Sequence, residues 1–404
     1  MISSCRVDAS HQSIGVSLRF AGCSRRAIFR PPAQGPVVGA ARYRGHVLDL
    51  RVFPSPIVIG HRGAPGYRPE HSRASFELAF EQGADFVEPD VVVSSDGVLV
   101  IRHENEISGT TDVSGHPEFA SRRRAKTVDG VEQHGWFTED FTWAELQTLR
   151  CRERLPELRP FSATFDGEFP LLRLADLFAL VDGAMDALRR PLGIVAELKH
   201  AAYFGRLGFD LAELFIAEVA SAGWGLGGRE EGGRGEGGVD DSAGRLVVES
   251  FEPTVLADLR RRGFGAALVQ LVDDVGSPAD LVESQGEEAP AYATYLTAAG
   301  LRALARAGVD GISVPKALLL GDGRSVVADA HAAGLSVFTW TLRPENAFLE
   351  ERYRTGPEVA ELGDWQGEWS EIVGAGVDGV FSDHPDAAVT VRNEQGDRGA
   401  DLPY

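Results

Sequence analysis

From Ile57 onward the chain alternates short, mostly apolar runs with helix-like stretches, and this repeat leaves few folds open. Nine runs read as strands: Ile57 to Gly60, Phe86 to Val92, Val98 to Arg102, Ile194 to Lys199, Leu246 to Phe251, Ala267 to Leu271, Gly311 to Val314, Ser336 to Thr341 and Gly379 to Ser382. Between most of them lie stretches with helical character, such as Ser72 to Gln82, Leu174 to Ala184, Leu211 to Ala222, Thr254 to Arg262, Leu296 to Ala307 and Arg324 to Ala333. Strands alternating with helices mark repeated βα units, whose crossovers make neighbouring strands run parallel. Nine runs exceed the eight strands of a closed barrel. Val98 to Arg102 follows Phe86 to Val92 across Ser94-Ser95-Asp96-Gly97, a hairpin-like turn, so one assignment is an extra hairpin or a misreading. The competing architecture, an open doubly wound sheet, carries a Gly-rich phosphate loop after its first strand, and no such loop stands at Gly60 to Gly66. The expected fold is therefore α/β, a TIM (β/α)8 barrel.

Length and charge bound the rest. A chain of 404 residues can build one large decorated domain without disulfides, and Cys5, Cys23 and Cys151 are too scattered for a disulfide framework or a zinc cluster. No run approaches the roughly 20 uninterrupted apolar residues of a membrane span. The formal net charge of -20 repels polyanions, which argues against nucleic acid as a partner. Residues 1–50 form a basic extension in which Asp8 is the sole acid before Asp49. Such an Arg-rich stretch reads as a targeting peptide or a misassigned start, and leaves a cytoplasmic or exported compartment open. The barrel is expected over residues 55–392, with a polar and aromatic insertion over 104–169, a Gly-rich loop over 225–241 and a frayed tail over 393–404. Oligomeric state is not legible.

The charged residues carry the chemistry. His61, Glu88, Asp90, His103, Glu197 and Lys199 all stand at or just beyond the ends of apolar strands, and in a parallel barrel those ends share one mouth. Glu88 and Asp90, one residue apart, would lie on one face of a strand at roughly 6–7 Å spacing. Glu197 and Lys199 repeat that arrangement on another strand. Three converging carboxylates repel unless a cation holds them, and an all-oxygen site suits one divalent cation, Ca²⁺ or Mg²⁺, bound by Glu88, Asp90 and Glu197. Lysine occurs only at positions 126, 199 and 316, so Lys199 is not a default choice; its ammonium and the Arg62 guanidinium would grip phosphoryl oxygens. His61 and His103 could serve as general base and general acid across a phosphodiester. Gly60 and Gly63, flanking His61-Arg62, fit a backbone that turns sharply beside a ligand. Glu249, Lys316 and Trp340, at later strand ends, are weaker site candidates.

The segment HRGAPGYRPEHSRASFELAFEQGADFVEPDVVVSSDGVLVIRHENEISGTTDV, starting at His61, closely resembles the opening of the glycerophosphodiester phosphodiesterase family. FPLLRLADLF at Phe169, VAELKH at Val195, VVESFEP at Val247, FTWTLRPEN at Phe338 and DGVFSDHPD at Asp378 agree in order and spacing, and GTTDV resembles the periplasmic-type branch. The resemblance spans Ile57 to Val391. It implies a TIM barrel with a small inserted subdomain after the second His motif, and hydrolysis of small-molecule glycerophosphodiesters to glycerol 3-phosphate and an alcohol. By position it makes His61 and His103 the acid/base pair, Arg62 the phosphate-binding arginine, Glu88, Asp90 and Glu197 the metal ligands, and Lys199 the lysine beside metal and phosphate. Two departures stand out: the family's His-Asp pair reads His103-Glu104 here, and Pro89 between Glu88 and Asp90 removes a backbone donor. One alternative is a lysophospholipase D-type activity on lipid phosphodiesters, for which Trp136, Phe137, Phe141 and Trp143 would form an apolar ramp. Another is a barrel that binds a phosphodiester without catalysis.

Overall fold

The strands pair in a closed circle. The computed structural model describes residues 50–224, 244–321 and 325–400. Nearly all of the basic extension and the whole Gly-rich stretch 225–241 lie outside the described residues. The strands are β1 (Ile57–His61), β2 (Phe86–Glu88), β3 (Asp90–Val93), β4 (Leu99–Ile101), β5 (Arg124–Val128), β6 (Val131–Gly135), β7 (Gly193–Leu198), β8 (Leu246–Ser250), β9 (Ala267–Leu271), β10 (Gly311–Pro315), β11 (Ser336–Leu342) and β12 (Gly379–Ser382). Their hydrogen-bonded order is β2-β1-β12-β11-β10-β9-β8-β7-β3-β4, and β2 also pairs with β7, which shuts the barrel. β2 and β3 together occupy one barrel position, so the parallel wall has eight strands.

One detail differs from the expected strands for a physical reason, and another follows the expected hairpin. The run Phe86 to Val92 is cut at Pro89, which has no N–H to give to the ladder. The Pro89 carbonyl still accepts the Glu197 N–H at 2.9 Å, so the break is one-sided. The run around Val98 to Arg102 supplies the ninth strand: β4 is antiparallel to β3, with Val92 opposite Val100, and stands outside the barrel wall.

Side-chain alternation then sets the inside and the outside. Ile57, Ile59, Phe86, Val195, Val247, Val269, Phe338 and Phe381 form one buried cluster with Phe53, filling the barrel interior. Their chain neighbours, among them Val58, Ile194, Val248, Val337 and Val380, pack outward into the clusters beneath the helices. Helices Arg73–Glu81, Leu211–Ser221 and Ala298–Arg306 begin where Ser72, Asp210 and Thr297 accept a backbone N–H from the first turn. The last described element is a helix over Pro385–Ala400, which reaches into the region expected to fray. Arg392, buried, pairs with Asp85 at 2.5 Å, and Asp85 accepts the Val58 N–H at 2.9 Å, which ties that helix to the barrel. Within residues 104–169, β5 and β6 form a hairpin, and Phe119, Phe137, Phe141, Leu146 and Leu149 extend the barrel's own hydrophobic cluster.

Two loops at the carboxyl ends carry testable constraints. Gly63 has φ 95°, and a Cβ there would stand 2.5 Å from the Ser75 carbonyl carbon. Gly63→Ala is expected to lower stability by about 1–3 kcal/mol in urea unfolding; an unchanged midpoint would show that the turn can move away. Glu252, after β8, accepts the Ala202 N–H at 2.8 Å and so ties that loop to the helix after β7. Burial pushes its carboxyl up to about 8, the Ala202 N–H offsetting this in part and Asp129 and Asp280 adding to it. Between the unfolded value of about 4.3 and the folded one, the native state binds more protons than the unfolded state, so this group's contribution to stability falls as pH rises. Glu252→Gln should therefore gain stability relative to the parent progressively up to about pH 8 and no further; a difference independent of pH would refute the assignment.

Candidate active site

Counting by twos along the inward face carries each apolar strand up to a polar residue. Ile59 leads to His61, Phe86 to Glu88, Val195 to Glu197 and then Lys199, Val247 to Glu249, and Phe338 to Trp340. These residues, with Arg62 and His103, line one cavity of about 320 Å³ at the carboxyl end of the barrel. Phe251, Leu271 and Phe381 complete part of its wall. Asp90 does not line the cavity; it is buried directly behind it, with Lys199 Nζ at 3.0 Å, Arg62 Nε at 3.3 Å and His71 Nε2 at 3.3 Å. Lys316 is elsewhere, its ammonium paired with the buried Glu368.

The acids are crowded. Asp90 pairs in register with Glu197, and Glu197 with Glu249, while carboxylate oxygens of Glu88, Glu197 and Glu249 come within 4.8 Å of one another. Burial, together with neighbouring acids, holds Glu88 and Glu249 well above the usual carboxylate range and pushes Glu197 up to about 8. Asp90 goes the other way: burial opposes its charge, but Lys199, His103 and Arg62 outweigh it and hold the carboxyl well below its ordinary value. Three buried carboxylates whose charge is opposed by burial and by one another are the donor set that a hard divalent ion takes, so these residues fit such an ion.

Each histidine is oriented from behind. His61 Nδ1 meets Asp383 Oδ1 at 2.6 Å, and Asp383 in turn accepts from Arg159 and Arg343, both at 2.7 Å. His103 Nδ1 meets Glu104 at 2.5 Å, so the acid that departs from His-Asp still reaches the ring. Arg154 bridges Glu104, at 2.6 Å, to Glu70, at 2.7 Å, and Glu70 accepts from Arg62 Nη1. Burial, aided by Arg62, lowers His61 to about 4 and His103 to about 3, so both imidazoles are neutral at pH 7 and can accept a proton.

Sequence reasoning did not single out Glu70, His71, Arg154, Arg159, Arg343 or Asp383. Glu70-His71 and Asp383 sit inside the motifs at His61 and Asp378, where a charged residue next to a strand end was the available signal. Arg154 and Arg159 come from the insertion, whose aperiodic sequence marks no residue as facing the barrel. The insertion also corrects one expectation: Phe137 and Phe141 are fully buried and Trp136 nearly so, its indole donating to the Phe119 carbonyl, so they form no exposed apolar ramp. Among the described residues no helix is long and apolar enough to cross a membrane.

Comparison with known proteins agrees with this geometry. A model of the glycerophosphoryl diester phosphodiesterase family matches residues 61–200 and 233–387. A glycerophosphodiester phosphodiesterase of Arabidopsis thaliana is 29% identical over 383 residues, covering 91% of this chain and 92% of that protein. One of Haemophilus influenzae is 30% identical over 188 residues, covering 45% of this chain and 49% of that protein. Among solved structures, a glycerophosphoryl diester phosphodiesterase from Silicibacter pomeroyi superposes with TM-score 0.58 at 22% identity, covering 87% of this chain and 98% of that one. An Oleispira antarctica phosphodiesterase, solved with the product sn-glycerol-3-phosphate, superposes with TM-score 0.51 at 20% identity over 84% of this chain and 97% of that one. With the family match covering most of the chain and its motifs gathered around one cavity, the chain belongs to the glycerophosphoryl diester phosphodiesterase family and is a glycerophosphodiester phosphodiesterase.

Proposed function

We propose that the enzyme hydrolyses glycerophosphodiesters to sn-glycerol 3-phosphate and an alcohol by acid–base catalysis between His61 and His103, with one divalent cation, Ca²⁺ or Mg²⁺, held by Glu88, Asp90 and Glu197. The observation that carries this reading is the pair of histidines on one cavity, each with Nδ1 on a carboxylate and each neutral at pH 7. A carboxylate on Nδ1 fixes the ring and stabilises the imidazolium that forms when Nε2 takes a proton. One histidine removes the proton of the attacking hydroxyl, that of water or of the substrate's own glycerol, a P–O bond forms, and the P–O bond to the alcohol breaks as the other histidine protonates the departing oxygen; where the glycerol hydroxyl attacks, water then opens the cyclic phosphate with the two histidines' roles exchanged. Arg62 presents its guanidinium and Lys199 its ammonium to the phosphoryl oxygens, where negative charge accumulates. A bound cation would add Lewis-acid stabilisation of that charge. Phe251, Trp340 and Phe381 give the rest of the cavity an apolar wall suited to the carbon skeleton of glycerol. The product found with the Oleispira antarctica protein supports sn-glycerol 3-phosphate as the released phosphomonoester.

The direct test is release of glycerol 3-phosphate from glycerophosphocholine before and after EDTA treatment. Activity should disappear in chelator and return with excess Ca²⁺ or Mg²⁺; undiminished turnover in EDTA would remove the cation from the mechanism. His61→Ala and His103→Ala should each lower kcat by about 10²- to 10⁴-fold, with folding checked by circular dichroism. Either variant at parental kcat would overturn the role given to that histidine.

A further inference from the structure

Three acids line the cavity and a fourth, Asp90, is buried behind it, but their surroundings are unequal. Asp90 has Lys199 at 3.0 Å and Arg62 at 3.3 Å. Glu197 has Lys199 at 2.8 Å, and Glu88 accepts the Arg62 backbone N–H at 2.9 Å. Glu249 is different: it is 2% exposed and lines the cavity, and among the described residues it forms no ion pair and its Oε2 has no hydrogen-bond partner, whereas the Asp90 oxygens, likewise without a hydrogen bond, face Lys199 and Arg62. The neighbouring wall residues Phe251 and Leu271 offer no side-chain donor. A buried carboxylate oxygen without a partner is expensive to keep charged, so a residue so placed either holds its proton or meets a cation.

We propose that Glu249 is a direct ligand of the divalent cation, acting with Glu88 and Glu197, whose carboxylate oxygens lie within 4.8 Å of its own. Asp90, contacted by Lys199, Arg62 and His71, remains the third acid of the set proposed above. The assignment rests on the reading that the cavity holds a cation, and it adds a ligand from β8 that this reading does not contain.

Binding separates the two claims without recourse to turnover. Isothermal titration with CaCl2, and separately with MgCl2, would be run on EDTA-stripped parent, E249Q and E197Q. E249Q should bind the parent's preferred cation more weakly by roughly the 10–100-fold that even an outer-shell change costs, or more. Stripped E249Q should also melt above the stripped parent, because an uncompensated buried acid is gone, and should gain less on adding cation. Binding by E249Q as tight as the parent's, with E197Q impaired, would overturn the role of Glu249 and leave the cation reading standing. A parent that binds neither cation would end both. Should E249Q not fold, crystals of the parent soaked in MnCl2 decide: the anomalous peak is expected within about 2.0–2.6 Å of a Glu249 carboxylate oxygen, and a peak bound by the other acids without Glu249 rejects the proposal.

Discussion

Repulsion among buried carboxylates is the constraint around which the mouth of this barrel is arranged. The parallel register sets Asp90, Glu197 and Glu249 side by side on adjacent strands, about 4.8 Å apart by strand spacing. Beneath them the inward face is largely apolar, which keeps water from screening the charges. Lys199 answers two of them at once, reaching Asp90 and Glu197 with one ammonium. A compact point charge at the end of a flexible stem can sit between two carboxylates from neighbouring strands, where a planar guanidinium would have to choose one. In a chain rich in arginine, this geometry gives a physical reason for lysine at position 199.

The insertion is a working part of the same arrangement. Its Arg154 holds Glu104, which orients His103, and Glu70, which accepts from Arg62. Its Arg159 holds Asp383, which orients His61, and Glu345. Each histidine thus depends on a carboxylate whose position is set by an arginine from outside the barrel wall. Both arginines fall within ten residues of one segment, so displacement of that segment would disturb both ends of the acid–base pair together.

Much of this was legible before any coordinates. Strand runs and the hairpin after Val93 followed from composition and turn residues, and strand-end charges located His61, Glu88, His103, Glu197 and Lys199 in one place because parallel strands share an end. Glu249 was weighed lightly because a single acid at a strand end is common; only the register that sets it beside Glu197 makes it unusual. Asp383 and Glu70 were hidden within motifs whose other residues drew the attention. Arg154 and Arg159 could not be found at all, since a side chain that folds back from an aperiodic insertion leaves no periodicity to read.

Pro89 shows how a local rule shapes the site. In an unbroken strand Glu88 and Asp90 would share one face and compete for the same partners. Without an N–H at position 89 the ladder separates: Glu88 pairs at the level of His61 on β1, whereas Asp90 pairs at the level of Glu197 on β7. Glu88 then takes the Arg62 N–H, while Asp90 takes the Arg62 guanidinium, His71 and Lys199. Two acids one residue apart acquire opposite electrostatic fates, one held well above and one well below the ordinary carboxylate range. The break at Pro89 thus sets an acid whose charge its neighbours favour beside one whose charge they oppose, at a single position of the barrel wall.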